Sequence, residues 1–125
     1  MFSIPSSVRV FAYAEPTDMR KSFDGLAAIV TNAFSKDPFN GDYFVFFNRS
    51  LDRCKILLWD RDGYVVWSKR LERGRFQRPL DVTSGLSVEI DTTTLSMILG
   101  GADLKTGQRR PRYQRPREPS AQQTV

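Results

Sequence analysis

The stretch CKILLWDRDGYVVW, residues 54–67, decides the fold. Two runs of strand-forming residues, CKILLW and YVVW, flank the tetrapeptide Asp60-Arg61-Asp62-Gly63. An Asp-Gly pair between two such runs is the strongest short-range signal for a β-hairpin. The sequence therefore predicts a hairpin over residues 54–67, with Gly63 at positive φ.

Two registers are compatible with this hairpin. A two-residue turn pairs Leu58 with Trp67, whereas a three-residue loop pairs Leu57 with Trp67. The second register brings two basic and two aromatic side chains to one face, where they would suit the stacking of unpaired bases: Lys55, Trp59, Trp67 and Lys69. Tryptophan in a small domain more often belongs to the core. The sequence therefore leaves open whether the two tryptophans stack on bases or lie in the core.

The segments around the hairpin complete an α+β pattern. Apolar residues at helical spacing predict the main helix over residues 23–34. Strands are predicted over residues 7–14, 42–47 and 86–90, and Asp91 or Thr92 can cap a short C-terminal helix that Gly100 and Gly101 end. We expect a small antiparallel sheet with the hairpin at its centre and a helix packed against it.

The charge of the chain is unevenly distributed. Its length of 125 residues fits one ordinary domain. The chain carries 19 Lys and Arg against 14 Asp and Glu, a net charge of +5. Residues 1–104 are balanced, and the whole excess lies in residues 105–125, which also contain three prolines. The sequence predicts a single domain over 1–104 and a disordered basic tail over 105–125. The tail is either a phosphate-contacting segment or merely a solubilising one.

Composition argues against several classes of protein. The chain has no histidine and one cysteine, Cys54, so it lacks the usual catalytic base, a disulfide and a zinc ligand set. No apolar run approaches the length of a membrane span. Asp60 and Asp62, with Asp18 or Asp24, could hold Mg²⁺ in a nuclease, but Asp-x-Asp-Gly also suits a turn. We therefore expect no enzyme activity, no cofactor, no metal and no small-molecule substrate.

Basic residues concentrate within the folded part as well. Residues 49–78 hold nine basic and four acidic groups, so the domain is polarised. The candidate nucleic-acid contacts, directed at phosphates without base reading, are Arg20, Lys21, Arg49, Arg53, Lys55, Lys69, Arg70, Arg73 and Arg75.

Three blocks of sequence resemble a known family. They are PTDMRKSFDGLAAIV (16–30), the long block from DPFNGDYF to KRLERGRF (37–76), and the weaker TTLSMILGGAD (93–103). Together they resemble the TnpB or Orf-two-like accessory protein of the insertion-sequence family sixty-six, which is distinct from the RNA-guided TnpB nucleases. Ser22, where the family usually has Gly, and Arg78, where an aromatic is expected, depart from the pattern.

The resemblance implies a non-catalytic helper in DNA transposition in the bacterial cytoplasm, and it supplies no catalytic residues. It also implies two partners, the element's separate transposase and another small accessory protein. Two functions remain open beside a remote metal-dependent nuclease. The protein either binds nucleic acid through a basic face, or it is an adaptor that binds the transposase through a sheet edge or an apolar patch without touching DNA.

Overall fold

Five strands and two helices make up the fold in the computed structural model, which describes residues 3–79, 86–102, 104, 106–108, 111 and 114–116. In chain order they are β1 (Val10–Tyr13), α1 (Phe23–Asn32), β2 (Tyr43–Phe47), β3 (Arg53–Asp60), β4 (Gly63–Arg70), β5 (Ser87–Ile90) and α2 (Thr92–Gly100). The α+β class, the main helix and the short C-terminal helix are confirmed.

The strands form one sheet in the order β4-β3-β2-β1-β5. All neighbours are antiparallel except β1 and β2, which run parallel because α1 carries the chain back between them. The predicted hairpin is β3-β4, but it lies at one edge of the sheet, and β2 occupies the centre.

The turn of the hairpin differs from both predicted registers. Trp67 pairs with Ile56, and Asp60 pairs with Gly63, so the loop consists of Arg61 and Asp62. Gly63 begins β4 and has no positive φ; Arg61 has it instead, at 53°. The expectation for Gly63 is therefore wrong. Both faces of β3 bury side chains, and a register that satisfies both faces overrides the local preference of the turn.

The register also separates the four side chains that one predicted alternative placed together. Lys55 and Trp59 point to the side of the sheet that α1 covers, whereas Trp67 and Lys69 point to the α2 side. Successive strand residues alternate between faces, so no choice of rotamer brings the two pairs together.

Each sheet face buries its own core. On the α1 side, β2 contributes Phe44 and Phe46, which pack with Leu26, Val30 and Phe34. On the α2 side the core contains Val45, Phe47, Cys54, Ile56, Phe76, Leu95, Ile98 and Leu99. Every residue of β2 is buried, as its continuous apolar run predicts.

The second helix has the predicted ends. The Asp91 side chain accepts a hydrogen bond from the Thr94 backbone N–H at 2.6 Å, and Gly101 ends the helix at φ 84°. Leu104 packs against the α2-side core. Most of the predicted tail, including Lys105, Arg109, Arg110, Arg112 and Arg117, lies outside the described residues.

A basic end of the sheet as the candidate functional site

Three segments that are distant in sequence meet at one end of the sheet. The Thr17 N–H donates to the Phe47 carbonyl at 2.8 Å, which holds the chain before α1 against the end of β2. The Leu71 N–H donates to the Asp52 carbonyl at 2.7 Å, which joins the chain after β4 to the turn before β3. We call residues 17–21, 48–55 and 68–75 together the basic end.

The basic end collects all nine candidate residues of the sequence analysis. Only three acidic residues lie in the same segments. The strand topology produces this convergence, because β2 ends, β3 begins and β4 ends at the same end of the sheet. The nine differ sharply, however, in what their side chains do.

Two of the nine are structural lysines. The Lys55 amine, half-buried, donates to the carbonyls of Met19 and Lys21 at 2.7 Å each. The Lys69 amine donates to the Leu99 carbonyl at 3.1 Å, in the last turn of α2. A cation there satisfies carbonyls that the helix leaves unpaired. Both amines are thus engaged inside the protein.

Two arginines are neutralised by neighbouring carboxylates. Arg20 holds Asp18 at 2.7 Å, and Arg70 holds Glu72 at 2.9 Å. The side-chain and backbone hydrogen bonds from Arg20 lower the pKa of Asp18 to about 2, so this carboxylate keeps its charge well into the acid range. Both ion pairs are exposed, and solvent screens their strength.

The remaining five basic side chains are exposed and form no ion pair with any described residue. They are Lys21, Arg49, Arg53, Arg73 and Arg75. Gly74, at φ 81°, bends the backbone between Arg73 and Arg75. These five are the groups free to meet an external anion.

A hydrogen-bonded turn positions two of the five. The Asn48 side-chain carbonyl accepts from the backbone N–H groups of Asp52 and Arg53, at 3.1 and 3.0 Å. The Asp52 carboxylate in turn accepts from Asn48 and from the Ser50 hydroxyl, and these bonds lower its pKa. The turn therefore fixes the backbone that carries Arg49 and Arg53. This network was not predicted, although Asn, Ser and Asp at alternate positions of a turn are its signal in the sequence.

The opposite end of the hairpin carries the other charge. Asp60 and Asp62 lie at the turn, beside an aromatic cluster of one exposed ring, Phe39, and two half-buried rings that we call the aromatic corner. Its three ring centroids, those of Phe39, Trp59 and Tyr64, lie 5.0–5.5 Å apart. The aromatic corner was not predicted, because Phe39 comes from a loop that only the fold brings to the hairpin.

The carboxylates weighed for a nuclease do not form one site. Asp18 lies at the basic end, and Asp60 and Asp62 lie at the far end of β3. Within the described part of the chain, no group of three or more Asp, Glu, Cys or His residues is arranged to hold a metal. Cys54 is fully buried in the α2-side core, and this burial raises the pKa of its thiol well above its usual range.

Fold and site define a small α+β protein with a charge-polarised sheet. The chain belongs to the family described as IS66 Orf2-like protein, whose model matches residues 8–109. This confirms the resemblance drawn from the sequence blocks and supports an accessory role in transposition.

Two relatives come from Sinorhizobium fredii (strain NBRC 101917 / NGR234), and both carry the description "uncharacterized protein". The first, y4jC, is 33% identical over 104 residues, covering 83% of this chain and 87% of its own. The second, y4hO, is 37% identical over 97 residues, covering 78% and 83%. No solved structure matches the chain. Among the described residues, no helix has the length and apolar character needed to cross a bilayer.

Proposed function

We propose that this protein is a non-catalytic accessory protein of transposition, active in the bacterial cytoplasm, that binds nucleic acid through its basic end. The element's transposase and another small accessory protein are the partners that this role implies. Membership of the IS66 Orf2-like family supports the process, and the basic end supports the binding.

One observation carries the proposal. Five exposed basic side chains, contributed by three chain segments, converge at the basic end, and none of them forms an ion pair with a described carboxylate. Such a cluster attracts the phosphate backbone, and each contact displaces a condensed counterion. The proposed contacts are to phosphates and read no bases.

The test measures binding of labelled element-end DNA and of an unrelated duplex at several salt concentrations. The triple variant Arg49→Ala, Arg53→Ala, Arg73→Ala should weaken both complexes similarly. It should also flatten the slope of log affinity against log salt by roughly 0.9 for each phosphate that the variant no longer binds.

A matched variant removes the same charge elsewhere. Arg9→Ala, Lys36→Ala, Arg61→Ala takes three basic side chains from outside the basic end and should change the salt slope little. Equal losses in both triple variants would mean that net charge, and not the basic end, governs binding. An unchanged affinity in the first variant would refute the proposal.

The aromatic corner favours a second candidate, an adaptor that binds the transposase without DNA contact. Phe39 is 56% exposed, and its ring lies on Trp59 and Tyr64. Exposed aromatic clusters are typical of protein-binding surfaces. If Phe39→Ser abolishes transposase capture while the basic-end variant leaves DNA affinity unchanged, the adaptor is the correct function.

A further inference from the structure

The outer edge of β4 is a strand edge that no described strand covers. β4 ends the sheet order, and no described strand pairs with its outer side. Its eight residues pair with β3 in unbroken register, so it has no bulge, and it contains no proline. Natural proteins usually protect a sheet edge by shortness, proline, a bulge or an inward charge. Of these, β4 has only the inward charge of Lys69, and that amine donates to the Leu99 carbonyl of its own copy on the α2 side. The other edge, β5, is protected by its length of four residues.

Opposite features lie at the two ends of this edge. The start of β4 adjoins Asp60 and Asp62 and carries Tyr64 of the aromatic corner. Its end carries Arg70, whose side chain is exposed. Tyr64 and Arg70 are separated by an even number of positions, so both side chains lie on the α1 side of the sheet. The edge therefore runs from an acidic, aromatic end to a basic one on a single face.

A two-fold axis across the middle of such a strand makes it complementary to itself. In antiparallel pairing, facing residues must both direct their backbone groups at the partner or both away from it. With identical strands this requires facing residue numbers that sum to an even value. Placing Val66 on the axis pairs residues 63–69 of the two copies with one another and sets Arg70, the last residue of β4, opposite Asp62 of the turn. Parallel pairing would instead bring Arg70 beside Arg70.

We propose that two copies of this chain associate through antiparallel β4 edges, with Val66 at the axis, to form one continuous ten-stranded sheet. Arg70 of each copy, whose ion pair with Glu72 is exposed, then also meets Asp62 and the Tyr64 ring of the other. The contact is isologous and therefore closes as a dimer. An arginine between a carboxylate and an aromatic ring gains both an ion pair and a cation–π contact.

The test is a charge exchange read out by solution mass. Light scattering during size-exclusion chromatography of the full-length protein, without nucleic acid and across a concentration series, should give twice the mass of the single chain. Arg70→Glu and Asp62→Arg should each shift the protein to the monomer, because either creates two like-charge contacts per dimer. An equimolar mixture of the two variants should recover the dimer, since every contact then pairs opposite charges.

Arg75→Glu, the same charge reversal off the edge, should leave the mass unchanged, and circular dichroism checks that each variant folds. A monomeric wild type, or a dimer that survives Arg70→Glu or fails to reform in the mixture, would overturn the proposal. If the wild type and both charge-reversal variants are all dimeric, the two copies associate through another surface. Because the readout contains no DNA, it is independent of the proposed binding function.

Discussion

Arg61 carries the backbone strain of the hairpin. Its φ of 53° lies in the left-handed region, which costs a residue with a side chain about 1–2 kcal/mol. The Asp62 N–H donates to the Asp60 carbonyl across it, which defines a γ-turn of the positive-φ kind, a rare and strained form. The neighbouring glycine, which could adopt this conformation at little cost, lies one position past the turn loop, in β4.

The first prediction concerns substitutions at Arg61 and Gly63, the strained turn residue and the glycine that follows the turn. Arg61→Gly should raise the free energy of unfolding by about 0.5–1 kcal/mol, because relief of strain exceeds the added entropy of the unfolded chain. Gly63→Ala should be tolerated, since a Cβ at that position meets nothing within 4 Å. Urea unfolding measures both. A larger loss in Gly63→Ala than in Arg61→Ala would contradict the observed register.

Asp18 gives the chain a defined acid dependence. Its pKa is about 2 in the folded protein against an ordinary value of 3.8. A depressed carboxyl pKa contributes stability that is present above the unfolded value and disappears as the pH falls through the folded one. We expect the Tm of the wild type to fall between about pH 4 and pH 2, and Asp18→Asn to make that fall shallower. Identical profiles for the two proteins would show that the Arg20 contact does not form.

At the scale of elements, two lysines act as fasteners between layers. Lys55 on β3 holds the segment that leads into α1, and Lys69 on β4 holds the end of α2. Without these contacts, the carbonyls of Met19, Lys21 and Leu99 would lose their charged donors. The positions of both helices relative to the sheet thus depend partly on side chains that composition alone would assign to nucleic-acid binding.

Lys55→Met tests this separation of roles. The substitution keeps most of the aliphatic stem but removes two charge-assisted hydrogen bonds, so we expect a loss of about 1–2 kcal/mol in the free energy of unfolding. Lys21→Met, at an exposed position in the segment that the Lys55 amine contacts, should cost little stability but reduce nucleic-acid affinity. Chemical denaturation and a binding titration on both variants separate the two. Equal stability losses would mean that Lys55 has no fastening role.

Local patterns predicted the elements, and long-range packing decided what they left open. Helical spacing after Phe23 and the continuous apolar run of β2 are properties of neighbouring residues, and both predictions are confirmed. The parallel pairing of β1 with β2 and the edge position of the hairpin depend on contacts between distant segments. The same limit applies to the basic end: its nine residues were predicted, but the difference between Lys55 and Lys21 required the fold.

At the scale of the whole molecule, the sheet is an electrical dipole with a basic end and an acidic, aromatic end. A compact domain so polarised orients as it approaches a phosphate backbone, and the basic tail predicted over residues 105–125 would add charge without further folding. The tail boundary after residue 104 stays a prediction, and the last residue before it belongs to the folded part. Leu104 packs against the α2-side core, and its N–H donates to the Gln77 side chain at 2.7 Å.

Removing residues 105–125 is therefore the last prediction. We expect the Tm to change little, because the described core contacts end at Leu104 and a Pro- and Arg-rich segment has little apolar surface to bury. If the tail binds DNA, the truncated protein should also show a salt slope shallower by roughly 0.9 for each phosphate that the tail had neutralised. A truncation after residue 99 is the matched comparison: it removes the Gly101 cap and Leu104, and it should destabilise the fold. A large loss of Tm in the protein truncated after residue 104 would mean that the tail docks on the domain. The charge of the tail would then serve the fold as well as any ligand.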